Sequence, residues 1–263
     1  SQHSPVLACA DKKKICLAVW RDKRKKTSDN HLYGALFSAS ATTITVYNTV
    51  TVDTGGHDHI SPAVASDGYD FQVIWKAKHA NGSNVRGVKV FYSGKVESTV
   101  QSISSFNVDG VHDPAITFSE SMGMYVAVWA DKRGGTKTFN DIYASRIDTK
   151  GVPFPADAKT GGFLVAGTGR PESDPDVACL KDRCLVVYTN QPKNLPSKVM
   201  AARLVFTKTT YQVLDKDLPM ANASLRVWAP AVATDAKQGH FVMAWRYDVS
   251  SAKKYIYSRI FIP

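Results

Sequence analysis

Apolar and polar residues alternate along most of the chain in short runs rich in Val, Ile, Thr, Tyr and Trp, broken by Gly, Asp, Asn and Lys. No stretch sustains a helical period, so the pattern predicts strands throughout. The runs also recur. Residues 15–24 read ICLAVWRDKR and residues 124–133 read MYVAVWADKR, and placing the aromatic of each such phrase gives Trp20, Trp75, Trp129, Tyr188 and Trp245. Their spacings are 55, 54, 59 and 57 residues, the signature of an internal repeat.

Upstream of each aromatic a proline opens an apolar run, at Pro5, Pro62, Pro114, Pro175 and Pro230, with offsets of 15, 13, 15, 13 and 15 residues. All the offsets are odd, so the same side chains keep to the same face, as a hairpin requires. Proline at the start of the first strand is expected there because its missing N–H costs no ladder bond. A third run follows each aromatic, at 32–37, 86–91, 142–147, 199–204 and 256–261, and a less regular fourth at 42–52, 96–103, 162–167 and 209–214. Each unit is thus predicted to be a meander of three or four antiparallel strands. Such a sheet has two apolar faces, and repeats of this size bury them by radial stacking, which predicts an all-β, five-bladed β-propeller. The blades run approximately over 4–57, 58–110, 111–170, 171–226 and 227–263 of one domain spanning 1–263. Two β-sandwich domains would not produce five equal repeats. The fifth unit stops at Pro263 after its third strand. A three-stranded blade, a longer parent chain and closure by irregular contacts all remain open.

The four cysteines occupy equivalent places in units 1 and 4. Cys9 and Cys179 stand four residues after their proline, and Cys16 and Cys184 four before their aromatic. Cross-strand neighbours at these positions predict the disulfides Cys9–Cys16 and Cys179–Cys184. Four cysteines around one zinc ion would need units 1 and 4 to touch, so no metal and no cofactor is expected. Disulfides place the chain in an oxidising compartment: secreted, periplasmic or on a cell surface. No apolar run approaches the length of a membrane span. The opening residues lack the basic start and apolar stretch of a signal peptide, which fits a mature chain or an excised domain.

Charge then narrows the picture. The chain carries a formal +10, and the five loops joining second to third strands (21–31, 76–86, 130–141, 189–198 and 246–254) together carry +11. In a propeller these loops share one face, so that face is expected to attract anions. Asp22 with Arg24 and Asp131 with Arg133 read as turn caps and local ion pairs. Lys23, Lys25, Lys26, Lys76, Lys78, Arg86, Lys198, Lys253 and Lys254 are the contact candidates. The loops leading into each blade read QHS, HIS, VHD, ESD and VWA, and place His3, Ser4, His59, Ser61, His112, Asp113, Glu172, Asp174 and Trp228 near the inner rim. His3, His59, His112 and Trp228 are suited to stack on a sugar. The Ser or Asp before proline also has a local reading, as a side-chain turn.

By repeat number and blade length the chain resembles secreted five-bladed propellers, of which tachylectin-type lectins and furanosidase-like glycoside hydrolases are the familiar kinds. The [V/A]W-x-D-x-R phrase followed by D-I-Y-A resembles repeats of extracellular bacterial proteins without an assigned role. The placement of positive charge and the five-fold repetition of similar loops predict a non-catalytic extracellular binding module whose basic face recognises an anionic glycan or cell-surface polyanion. One alternative is a furanosidase-like hydrolase, which needs two carboxylates about the scissile bond. The resemblance then points to Asp113 and Asp174, with Glu172 nearby, while units 1 and 2 carry Ser4 and Ser61. Another is a platform for a protein partner. Nucleic acid is disfavoured by the oxidising compartment and the lack of a binding motif.

Overall fold

The computed structural model describes residues 2–24, 29–104, 111–133, 139–193, 195–207, 209–221, 226–250 and 253–263, His112 without its side chain. It is a five-bladed β-propeller. Blade 1 comprises β1 (Gln2–Ala10), β2 (Ile15–Asp22), β3 (His31–Ala39) and β4 (Ile44–Asp53). Blade 2 comprises β5 (Asp58–Ser66), β6 (Phe71–His79), β7 (Gly82–Val90) and the short β8 (Gln101–Ser102). Blade 3 is built from β9 (His112–Ser119), β10 (Met124–Asp131), β11 (Asp141–Asp148) and β12 (Phe163–Ala166). In blade 4 they are β13 (Glu172–Leu180), β14 (Arg183–Asn190), β15 (Lys198–Phe206) and β16 (Tyr211–Ala221), and in blade 5 β17 (Arg226–Asp235), β18 (His240–Asp248) and β19 (Lys254–Phe261). Every sheet is an antiparallel meander in chain order.

The sheets are apolar on both faces, and each face has a fixed neighbour. In blade 3, Tyr125, Ala127 and Trp129 turn toward blade 2, where they meet Ile74 and Val85. The alternate residues Met124, Val126 and Val128 turn toward Val186 and Tyr188 of blade 4. Burial follows from this period of two: all eight residues of β10 are buried. Four apolar clusters fill the junctions of blades 1–2, 2–3, 3–4 and 4–5. Among the described residues no such cluster joins blade 5 to blade 1, and β17 does not lie beside β1 as the other successive inner strands do.

Both disulfides form, between directly paired residues of β1–β2 and of β13–β14. Two local expectations are corrected. The prolines do not start their strands but lie two to four residues inside them, within a bulge. There is also a helix, α1 (Pro155–Thr160), with proline at its start and left-handed Gly161 (φ 63°) at its end. Six residues are too few to register a helical period. Its Asp157 accepts the backbone N–H of Arg146 at 2.8 Å and both arms of the Arg146 side chain at 3.0 and 2.9 Å, the pair being buried to 2% exposure.

Candidate active site at the axial mouth

The inner strands β1, β5, β9, β13 and β17 surround the axis, and each breaks register at the same place. In blade 1, Ser4 and Pro5 together stand opposite Trp20; the corresponding pairs are Ser61–Pro62 against Trp75, Asp113–Pro114 against Trp129, Asp174–Pro175 against Tyr188, and Ala229–Pro230 against Trp245. This is a β-bulge, two residues facing one, and it tolerates proline because the extra residue is unpaired. The residue before each proline has positive φ: 53° at Ser4, 50° at Ser61, 44° at Asp113, 50° at Asp174 and 46° at Ala229. Such backbone costs a non-glycine residue on the order of 1–2 kcal/mol. The aromatic of the repeated phrase therefore marks the strand position facing the bulge.

The bulge residues of blades 2 and 3 meet, Ser61 Oγ donating to Asp113 Oδ1 at 3.3 Å; within blade 4, Ser173 Oγ donates to its neighbour Asp174 Oδ2 at 3.2 Å. Lys76 lies near Asp113; partial burial pulls the ammonium below the usual lysine range, and the Asp113 charge opposes that. Asp113 is exposed and Asp174 half-buried. Two carboxylates thus occupy equivalent positions in adjacent blades, and the other three positions hold serine or alanine.

The bulge also decides which rim candidates reach the axis. Two residues before the strained residue of blades 2 to 5 the side chain is buried between blades, so His59 and Glu172, expected at the mouth, are fully buried, like Val111 and Val227, whereas Gln2 of blade 1 is exposed. The ring nitrogens of His59 face Asn30 O and Asp53 Oδ2, both at 2.8 Å. Glu172 Oε1 accepts from the N–H and hydroxyl of Thr168 at 3.0 and 2.6 Å, while Oε2 is buried without a hydrogen-bond partner. Burial pushes this carboxyl up to about 7 against those hydrogen bonds, with Asp141 and Asp217 adding to the rise. His3 is exposed and Trp228 half-buried, on β1 and β17. His112 lies in β9.

The Asp-x-Arg turns are structural. Asp131 accepts Trp129 Nε1 at 2.8 Å and Arg133 Nε at 2.9 Å, and the Arg133 guanidinium stacks 4.0 Å from the Tyr143 ring while donating to Thr160 O at 3.1 Å. Arg24 repeats this with Asp22 at 2.8 Å and Tyr33 at 3.8 Å. Of the basic candidates, Lys23, Lys78, Lys253 and Lys254 are exposed, Lys76 and Lys198 half-buried, and Lys25 and Lys26 lie outside the described residues. Arg86 is no free loop cation: it sits in β7 and donates to His57 Nε2 at 3.0 Å. His57 packs 4.0 Å from His79 over a cleft of about 340 Å³ shared with Asp29, Asp58 and Lys78. Burial, reinforced by His79 and Arg86, holds the His57 imidazole below the usual histidine range. Sequence reasoning named neither His57 nor His79; their only signal was a histidine density between residues 57 and 79. Among the described residues no group of three or more His, Cys, Asp or Glu is placed to hold a metal ion.

The sequence matches no protein-family model and no curated protein. The fold, however, is similar to solved structures over nearly the whole chain. An endo-arabinase from Bacteroides thetaiotaomicron aligns at a TM-score of 0.55 and 11% identity, covering 98% of this chain and 93% of its own. An alpha-L-arabinofuranosidase from Lactobacillus brevis aligns at 0.54 and 9%, covering 98% and 89%. An endo-1,4-beta-xylanase from B. thetaiotaomicron aligns at 0.51 and 12%, covering 97% and 88%. At these identities the likeness is one of fold. It nonetheless corrects the expectation of a non-catalytic, polyanion-binding module, because the propellers that share this architecture are named as glycan-cleaving enzymes. The two disulfides fit an extracellular protein, and no described helix is long and apolar enough to cross a membrane.

Proposed function

We propose that the protein is a secreted glycoside hydrolase of the furanosidase-like propeller type, working at the axial mouth. The observation that carries this reading is the pair Asp113 and Asp174: of five equivalent strained positions, the two in adjacent blades 3 and 4 bear carboxylates. Glycosidic cleavage needs one carboxyl to protonate the leaving oxygen and a second to activate water or stabilise the sugar cation. Asp113, which receives the Ser61 hydroxyl and lies near Lys76, has the surroundings of the carboxylate partner. Asp174, half-buried where Asp113 is exposed, is assigned as the acid. Trp228 of β17, half-buried, offers an aromatic face for a sugar ring.

The test is sugar release from arabinan, xylan and an aryl α-L-arabinofuranoside. Hydrolysis by the wild-type chain, lowered about 10²- to 10⁴-fold by Asp113→Asn and by Asp174→Asn with the fold unchanged, is the expected result. Absence of cleavage on all three, or cleavage indifferent to both substitutions, refutes it.

A further inference from the structure

At the end of the propeller that carries the strained residues, blade 2 is cut short. Two residues join β6 to β7, where the corresponding connections of the other blades take five to nine. The short turn leaves room beside the blade 1 loop that leads into β3, and the cleft of about 340 Å³ lies there, at the lower end of the size range of small-ligand sites. Asp29 lines it from blade 1, and His57, Asp58, Lys78 and His79 line it from blade 2. Several of these side chains are held from behind. Asp58 Oδ1 accepts the backbone N–H of Asn30 at 2.8 Å and its side-chain amide at 2.6 Å. His57 Nε2 accepts from Arg86, so that nitrogen carries a lone pair and the ring is neutral with its proton on Nδ1. His79 Nε2 faces Asn84 Oδ1 at 3.2 Å.

Charge in the cleft cancels, Asp29 and Asp58 standing against Lys78 and, behind His57, Arg86. An anion gains no net attraction from such a lining. Carboxylates, an ammonium and imidazoles together supply both acceptors and donors, the mixture a neutral polyhydroxylated ligand requires. The cleft also adjoins the mouth. Asp58 stands three residues before strained Ser61 on the same strand, about 10 Å along it. Lys76, near Asp113 at the mouth, is near Asp58 as well.

We propose, on the glycosidase reading above, that this cleft is a second sugar subsite, taking a neutral pentose or hexose unit of the same glycan whose linkage is cleaved at the mouth. The substrate is then a chain of several units. Asp29 and Asp58 accept sugar hydroxyls, Lys78 donates to a sugar oxygen, and the two tilted imidazoles, with ring centroids 4.0 Å apart, form one wall. Binding this far from the reacting bond holds the chain in register over Asp113 and Asp174.

Two measurements on the full chain test this, with linear xylo- and arabino-oligosaccharides as probes. The first follows isotope-labelled histidine side chains by NMR in the Asp113→Asn, Asp174→Asn chain, so that the probe is not consumed. One of the hexamers, at up to about 10 mM, ample for a weak subsite, should shift the His57 and His79 signals. The shifts should be equal at low and high salt, because the ligand is uncharged. The second measures kcat/KM of the active chain, which should rise about 10-fold or more from trimer to hexamer. His79→Ala should lower it on the hexamer about 5- to 10-fold more than on the aryl α-L-arabinofuranoside, the worth of one or two hydrogen bonds. Lys78→Ala, at an exposed position, repeats the comparison should His79→Ala disturb the fold. Histidine shifts without cleavage of any substrate would keep the sugar site and remove the glycosidase reading. Cleavage equally fast on trimer and hexamer, equal losses on the long and short substrates, or histidine signals unmoved by both hexamers would overturn the subsite and leave that reading in place.

Discussion

Replacing Glu172 by glutamine should make the protein more stable at alkaline pH and leave it unchanged in acid. The side chain is fully buried between blades 3 and 4, and Oε2 has no hydrogen-bond partner. Burial raises its carboxyl from 4.5 to about 7. Below the unfolded value both states carry the proton and the site costs nothing in charge. As pH rises from 4.5 the unfolded chain ionises first, so stability drains away until the folded carboxyl ionises near 7, above which the full penalty stands. Converted at 1.36 kcal/mol per tenfold change in proton affinity, that penalty is roughly 3 kcal/mol. Glutamine keeps an acceptor for Thr168 and puts a neutral amide where Oε2 lies. Urea unfolding followed by tryptophan fluorescence at pH 4 and pH 8 reads the difference. Other carboxylates titrate over this range too, but comparison of variant with wild type cancels them. The expected gain is about 2–3 kcal/mol at pH 8 and close to zero at pH 4. An equal effect at the two pH values, or a variant weakened at pH 8, would refute the account of a carboxyl held neutral by burial.

Two further outcomes follow from features away from the mouth. Asp157→Ala strips the partner from the buried Arg146 guanidinium and should cost about 3–5 kcal/mol, measured as a lower denaturation midpoint. Under graded reductant Cys9–Cys16 should open before Cys179–Cys184, because Cys9 is exposed on the uncovered face of blade 1 while Cys184 is 1% exposed against blade 3; timed alkylation and peptide mass mapping report the order.

The blades were legible because their phrase is written five times and its apolar residues alternate with the period of a strand. The disulfides were legible for the same reason: equivalent positions in paired strands are neighbours. The rim was misread at His59 and Glu172 because a bulge is a local change of register, and moving one residue along a strand exchanges a seat between blades for one at the axis. Serine or aspartate at positive φ leaves no periodic trace, since only the following proline repeats alongside it. Helix α1 was missed because Asp157 reads as an ordinary turn residue until Arg146, eleven positions earlier, is seen to bind it. The break between blades 1 and 5 was beyond reach from composition, for Leu7 of blade 1 and Val242 of blade 5, both exposed, are as apolar as their buried counterparts.

The ring of strained residues separates two things that most active sites entangle. Its backbone is set by parts that do not reach the axis: the proline, the facing aromatic and the two-against-one pairing in every blade. What hangs from it is free to differ, and does, from serine to aspartate to alanine. The five positions act as interchangeable sockets, so a lineage built on this frame could acquire, lose or relocate a reactive group one blade at a time without disturbing the hydrophobic junctions that hold the blades together.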